Sequence, residues 1–551
     1  MWPIFLQRRR RRANPIVADT SAGPDDRALG DAAREAGDWK AAAAAYERHL
    51  RAAPGDGAIW VQLGHALKES GHPAAAAEAY RQAGALPESG VEGLFQLGLV
   101  LWGQGAGPAA IQALQEALRL APRFDICQAL AEREGAMEPL PVTSLGRPVL
   151  ALDVSDLLNF LVVHGFPTGI QRVQLGMIAA FLRDGAEPAA PFEEIQFCFA
   201  TYDWPWRLAP EDLLAVLRYV EEGQVDLAVS RRLVEQAKAR AVCASWSPGT
   251  AYLVLGAFWS GQGVALLQQR LKPASVTFGV LTHDLFAVTM PQLCEEGAVA
   301  AFETQLNAGL ATWDFIVANS KATAADVQAY IARHAPQRSL PVLVAPLAHD
   351  FATAHDGARP PAPLPDGLAA GSFVLCVGTI EPRKNHRALL AAWAKLGRRR
   401  ADLPELVIAG RPGWRSEDVV EQLRAGAIPK VRWLEDLSDG ALDALYRGCL
   451  FSVFPSVAEG WGLPIGESLA RGKVCVTSEV SAMPEVGGRF AVYVDPGDSR
   501  SLETALARLL DDPAGRIARE TEIRAEFKPR TWADVARTVM TEVGAVTPQT
   551  Y

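Results

Sequence analysis

At 551 residues, 49% apolar and 21% charged, the chain has a globular composition and is too long for one core, so two to four domains are expected. A net charge of −9 argues against a dedicated nucleic-acid binder but leaves small anionic ligands open, because helix N-termini and a few cations bind phosphate on an acidic protein. The seven cysteines are scattered, none in a C-x-x-C pair, which argues against disulfides and zinc, and no apolar run approaches the ~20 residues that span a bilayer.

Residues 1–25 read as a disordered basic tail. Arg8 to Arg12 follow Trp2, Ile4, Phe5 and Leu6, a combination suited to peripheral contact with an anionic membrane surface, while the hydrophobic patch is too short for a secretion signal. From residue 26 a repeat sets in. Leu29-Gly30, Leu63-Gly64 and Leu97-Gly98 recur at 34 residues, as do Gly37, Gly71 and Gly105, then Ala42, Ala76 and Ala110, then Tyr46, Tyr80 and Leu114. Small residues let paired helices approach, the large side chain fills the gap between them, and Pro54 and Pro122 end a second helix. The pattern over 26–135 resembles the tetratricopeptide repeat, which implies an all-α solenoid that binds a protein partner or a second copy of the chain.

Residues 136–147 carry two prolines, with Pro148 directly after them, and read as a linker. Beyond them VLALDV, IQFCFATY, AYLVLG, SVTFGVLTHD, FIVANS and PVLVAP are strand candidates in a first α/β domain over 148–348. The proline-rich GARPPAPLPDG lies in a hinge over 349–371. FVLCVGT, ELVIAG, VRWLE, LFSVFPS and KVCVTS follow in a second domain over 372–515, and residues 516–551 read as a terminal helical segment. Near-continuous apolar strands alternating with amphipathic helices predict parallel sheets covered on both faces, with ligands at the carboxyl ends of the strands.

Two strand-to-helix loops of the second domain stand out. In VGTIEPRKNHRALLAAW a strand ends at Gly378-Thr379, and Arg383 and Lys384 precede Asn385, a candidate N-cap. Two cations beside a helix N-terminus suit a diphosphate; solvated basic residues in an ordinary loop would read the same way. In EGWGLPIGESLA, Gly460 and Gly462 let the backbone run close to a neighbour, and Pro464 suits a first helical turn. Glu459 before the turn and Glu467 at the helix start could accept hydrogen bonds from hydroxyls on separate parts of one polyol, although a plain turn with solvated glutamates fits the spacing equally.

Together these motifs, with FPSVAEG, IAGRPGW and SAMPEVGG, resemble the family 4 (group 1) retaining glycosyltransferases of the GT-B fold, most closely from Phe373 to Pro496. The resemblance implies that Glu467 binds the nucleotide ribose, Glu459 the donor-sugar hydroxyls and Lys384 the diphosphate. The backbone of Gly460, Gly462 and Leu463 would line sugar and phosphates beside Gly378. Many members have an arginine where this chain has Thr379, so Arg383 is the substitute cation. In the first domain, FPTGIQRVQLG would put Gly169 opposite the donor phosphate with Arg172 near anionic groups, and LTHDLF would place His283 against the transferred sugar. FKPRTWADVARTVM resembles the last helix of the fold, which crosses back to the first, acceptor domain.

The implied enzyme is a retaining, metal-independent hexosyltransferase acting on a nucleoside diphosphate sugar, without a cofactor. VGTIEPRKN and IAGRPGW look most like bacterial mannosyltransferases of surface polysaccharide assembly. GDP-mannose is therefore the expected donor and a glycan or lipid-linked molecule the acceptor, in the cytoplasm or at the inner membrane face. A protein acceptor recruited by the repeats is the rival reading. A non-catalytic repeat scaffold is a second, and a pyridoxal-phosphate phosphorylase, for which no cofactor-lysine motif is present, a third.

Overall fold

The computed structural model describes residues 26–121, 123–134, 147–164, 167–201, 204–223, 226–244, 246, 248–260, 264–350 and 362–548. The arginine-rich tail, Pro122, nearly all of the 136–147 linker and the central part of the 349–371 hinge lie outside the described residues. The chain divides into two compact units, Met1–Glu138 and Pro139–Tyr551.

The first unit is wholly helical among its described residues, from Asp26–Glu35 to Phe124–Glu134. Its repeat chemistry is visible in the packing. A Cβ on Gly30, Gly64 or Gly98 would stand 2.4, 2.3 or 2.6 Å from Tyr46, Tyr80 or Leu114, so the glycines are where the large side chains fit. Ala42, Ala76 and Ala110 are fully buried beside them. Gly37, Gly71 and Gly105 turn the chain between helices with φ of 75°, 84° and 77°, the left-handed region that glycine enters at least cost. The buried phenols are satisfied: Tyr46 donates to Asp31 at 2.8 Å, and the Tyr80 hydroxyl lies 2.9 Å from His65 Nδ1.

The second unit holds two sheets, with strands β1 (Val149–Asp153), β2 (Glu194–Thr201), β3 (Trp204–Arg207), β4 (Val242–Cys243), β5 (Ala251–Val254), β6 (Thr277–Thr282), β7 (Phe315–Ala318) and β8 (Val342–Val344) in the first. Their order is β4-β3-β2-β1-β5-β6-β7-β8, and only β3 is reversed, running antiparallel to both its neighbours, β2 and β4. The second comprises β9 (Phe373–Val377), β10 (Glu405–Ala409), β11 (Val431–Leu434), β12 (Ser452–Phe454), β13 (Cys475–Ser478) and β14 (Val492–Val494). It is all-parallel in the order β11-β10-β9-β12-β13-β14. β1, β6 and β7 are buried throughout, as strands covered by helices on both faces must be. These are two doubly wound domains, the GT-B architecture.

Three strands escape the sequence pattern. β3 reads Trp-Pro-Trp-Arg, and the proline argues against a strand; pairing with β2 through Ala200 and Pro205 imposes it. β4 and β14 are two and three residues long, too short for any periodicity. The last helix, Trp532–Val546, lies on the helix Gly169–Leu182 of the first domain: a Cβ on Gly176 would stand 2.2 Å from the Trp532 ring. No helix among the described residues is long and apolar enough to cross a membrane.

Candidate functional site

The β9 and β12 ends lie side by side, and their loops bring Arg383, Lys384 and Glu459 together. Val377 is followed by Gly378, whose φ of 151° swings the chain out of the sheet, and by the short 3-10 turn Pro382–Lys384. Asn385 holds the N-cap position of the helix His386–Arg399, as expected, but its side chain does not cap it. It takes φ 59° with no capping hydrogen bond, and its amide instead donates to Pro455 O at 3.1 Å and Pro496 O at 3.4 Å, tying three loops together.

This conformation delivers both cations to one carboxylate. Lys384 Nζ and an Arg383 guanidinium nitrogen each stand 2.6 Å from Glu459, one on each oxygen. Arg383 also pairs with Glu381 at 2.7 Å, donates to Ala458 O at 3.0 Å and lies over the Phe286 ring of the first domain at 5.2 Å. The Glu459 amide donates to Ser481 Oγ at 2.8 Å. Burial on its own would raise the Glu459 pKa, but Arg383 and Lys384 outweigh it and hold the carboxyl at about 2. Burial raises Glu381 against the pull of the same cations. Two buried acids and two half-buried cations in one cluster contribute little net stability, because desolvation offsets their attraction; such a cluster marks a site built for charge.

Gly462, with φ 110°, precedes the helix Leu463–Ala470, and Pro464 sits in its first turn. Glu467 falls one turn further in rather than in the first turn. It is 2% exposed and accepts from Tyr446 Oη at 2.8 Å and from Arg172 at 3.0 Å. Arg172, on the helix Gly169–Leu182 of the first domain, also pairs with Asp439. Burial pushes Glu467 above the usual carboxylate range against the pull of Arg172 and the phenol.

From the first domain, His283 follows β6 and is buried, its Nε2 2.9 Å from Leu255 O. Only an N–H satisfies a carbonyl there, so Nδ1 is left as the acceptor, and burial lowers the ring's pKa towards the neutral form. The two domains meet at this residue: a Cβ on Gly460 would stand 1.7 Å from His283 O. Gly460 is therefore small to admit a neighbouring carbonyl. Gly169 opens its helix on the first-domain side with nothing within 4 Å of a Cβ position. Thr379 lies against Gly413, where a Cβ would come within 2.8 Å of its methyl.

Of the residues singled out from sequence, Arg383, Lys384 and Glu459 form one cluster, Gly460 joins it to His283, and Arg172 reaches Glu467. Glu381, Asp439, Tyr446 and Glu485 were missed. Glu485 accepts from the amides of Lys321 and Ala322 at 2.9 and 2.8 Å, capping a first-domain helix from the second domain. Glu381 and Glu485 lay inside motifs already noted, without their roles being read; Asp439 and Tyr446 are single polar residues whose partners are remote in sequence. Among the described residues, no group of three His, Cys, Asp or Glu side chains is placed to hold a metal ion.

Parts of the chain are similar to known proteins. Residues 371–512 match the family of glycosyl transferases group 1, and residues 26–60 and 61–123 match the tetratricopeptide repeat. The second α/β domain is a group 1 glycosyltransferase domain. The chain is 29% identical over 268 residues to the O-antigen chain mannosyltransferase B of Escherichia coli, covering 48% of this chain and 68% of that one. It is 31% identical over 227 residues to the serotype-specific mannosyltransferase WbdA of the same organism, covering 39% of this chain and 27% of that much longer one. Among solved structures, the alpha,alpha-trehalose-phosphate synthase (UDP-forming) of Burkholderia vietnamiensis aligns at a TM-score of 0.48 and 14% identity, over 73% of this chain and 98% of that one.

Proposed function

We propose that the protein transfers a hexose, mannose from GDP-mannose, to a glycan or lipid-linked acceptor in the assembly of a bacterial surface polysaccharide, with retention at the anomeric carbon. The observation that carries this reading is the half-buried Arg383–Lys384–Glu459 cluster at the adjoining ends of β9 and β12, facing His283 of the other domain. The names of the mannosyltransferase relatives support the choice of sugar and pathway.

In this scheme the bond from the anomeric carbon to the diphosphate oxygen breaks, and the acceptor oxygen bonds to the same face of that carbon. The acceptor proton passes to the departing phosphate. Negative charge develops on the diphosphate, where Lys384, Arg383 and the adjacent helix N-terminus stabilise it without a metal. Glu459 orients the sugar hydroxyls together with His283, and Glu467 holds the ribose. Gly169, Gly378, Thr379, Gly460, Gly462 and Leu463 shape the walls. Contact between the two domains excludes water and limits donor hydrolysis.

A donor screen tests this: nucleotide release with GDP-, UDP- and dTDP-sugars, with Mg²⁺ and with EDTA, followed by NMR of the product's anomeric coupling. Turnover of GDP-mannose in EDTA with retention is expected. Failure of every nucleotide sugar to bind or react sinks the enzyme reading, and a strict metal requirement sinks the charge scheme. Transfer to a co-purifying protein in place of a glycan would move the acceptor assignment to protein, with the repeats as the recruiting surface.

A further inference from the structure

Glu467 is set to bind a ligand, yet it is covered. Its side chain is 3% exposed, and what covers it comes from the other domain: the Arg172 guanidinium, itself 20% exposed, lies against one carboxylate oxygen while Tyr446 holds the other. Arg172, Asp439, Leu463 and Glu467 line one small cavity between the domains. The arrangement is specified locally. Thr168 and Gln171 form a capping box that fixes the first turn of the Gly169 helix, and the Arg172 amide donates to Thr168 O at 2.9 Å. Gln171 and Gln174, flanking Arg172, both donate to Asp156, at 2.8 and 2.7 Å. Arg172 thus leaves a rigid turn and crosses to two acids of the second domain, Glu467 and Asp439.

We propose that Arg172 is a displaceable plug: its guanidinium occupies the carboxylate that the donor's ribose needs, and a nucleoside diphosphate binds by displacing it. The inference rests on the nucleotide-sugar reading above. A ribose hydroxyl donates to a carboxylate oxygen as a guanidinium N–H does, so the two compete for the one oxygen that Arg172 holds. Tyr446 lies on the far oxygen and stays in place during the exchange. Competition of this kind lowers the apparent affinity by the fraction of molecules in which the site is uncovered. The plug therefore sets how much donor is needed to occupy the cleft, and it offsets part of the cost of burying the Glu467 carboxylate.

The test uses the full-length protein and free GDP and UDP as probes. Phenylglyoxal labelling of Arg172 in the wild type, read by mass spectrometry, should rise severalfold at saturating GDP if the plug is displaced. Protection of Arg172 by GDP would instead make it a direct donor contact and overturn the proposal. By calorimetry, Arg172→Met should bind GDP about 5–10-fold more tightly than wild type, with Arg172→Lys between them. Unchanged or weakened binding in Arg172→Met refutes the plug. The wild-type labelling decides the matter should that variant not fold. If the wild type binds neither nucleotide and Glu467→Gln changes nothing, the nucleotide-sugar reading has failed rather than the plug.

Discussion

Replacing Gly460 by alanine inserts one methyl at the point where the two domains touch. The added Cβ would stand 1.7 Å from His283 O. Carbon–oxygen contacts settle at ~3.3 Å, so the loops must separate by about 1.6 Å. Neither side yields freely, because Asn319 Nδ2 holds the His283 carbonyl at 2.9 Å and Thr323 Oγ1 donates to Gly460 O at 3.3 Å. Overpacking of this kind costs ~1–3 kcal/mol, and a displacement of about 1 Å in a catalytic constellation costs ~10²-fold in rate. Calorimetric unfolding and nucleotide release with a matched donor and acceptor measure the two effects. Both should fall in Gly460→Ala. Gly169→Ala, whose Cβ meets nothing within 4 Å, should keep the native unfolding temperature. Lost turnover with an unmoved transition would mean that Gly460 makes room for a ligand rather than for His283. Wild-type values in both assays would refute the packing argument outright.

Glu459→Gln keeps the shape but leaves Arg383 and Lys384 without their shared counter-charge, so roughly 3–5 kcal/mol of stability and at least ~10²-fold in turnover should be lost, measured by urea unfolding and by nucleotide release. The folded Glu459 pKa of about 2 lies below the ordinary ~4.3, so its contribution is complete above pH ~4.3 and is lost as pH falls towards 2. That contribution is roughly 3 kcal/mol, and the wild-type stability lost on going from neutral to about pH 3 should shrink in Glu459→Gln; identical pH curves would contradict the assignment. Glu467→Ala should weaken GDP binding more than it lowers turnover at saturating donor, checked by calorimetry and initial rates. In the repeats, Gly64→Ala drives a Cβ to 2.3 Å from the Tyr80 ring and should destabilise the helical unit by ~1–3 kcal/mol, seen as an earlier calorimetric transition.

The legible features were the ones written locally. The repeat period appears in the chain because each helix pair repeats the same packing, a glycine under a large side chain and a left-handed glycine at the turn. The eleven strand candidates read from sequence are all strands, since buried parallel strands are continuous apolar runs. Arg383, Lys384 and Glu459 could be named from two motifs, because both loops leave the carboxyl ends of adjacent strands, β9 and β12.

Partners and conformations were not legible. Asn385 has the chemistry of a cap, and only the positions of Pro455 and Pro496 divert its amide. Tyr446 and Asp439 carry no motif, because a single hydrogen bond to a residue far away in the chain leaves no local period, and Glu485 lies in SAMPEVGG without any local sign of the amides it accepts from. The pairing of Arg172 with Glu467 joins positions 295 residues apart. By itself the sequence determined the repeats, the alternating α/β halves, and the loops in which charge and backbone freedom gather. Tertiary structure alone decided which carboxylate each cation meets and that Gly460 is small for His283, because those contacts exist only once two domains fold and face each other.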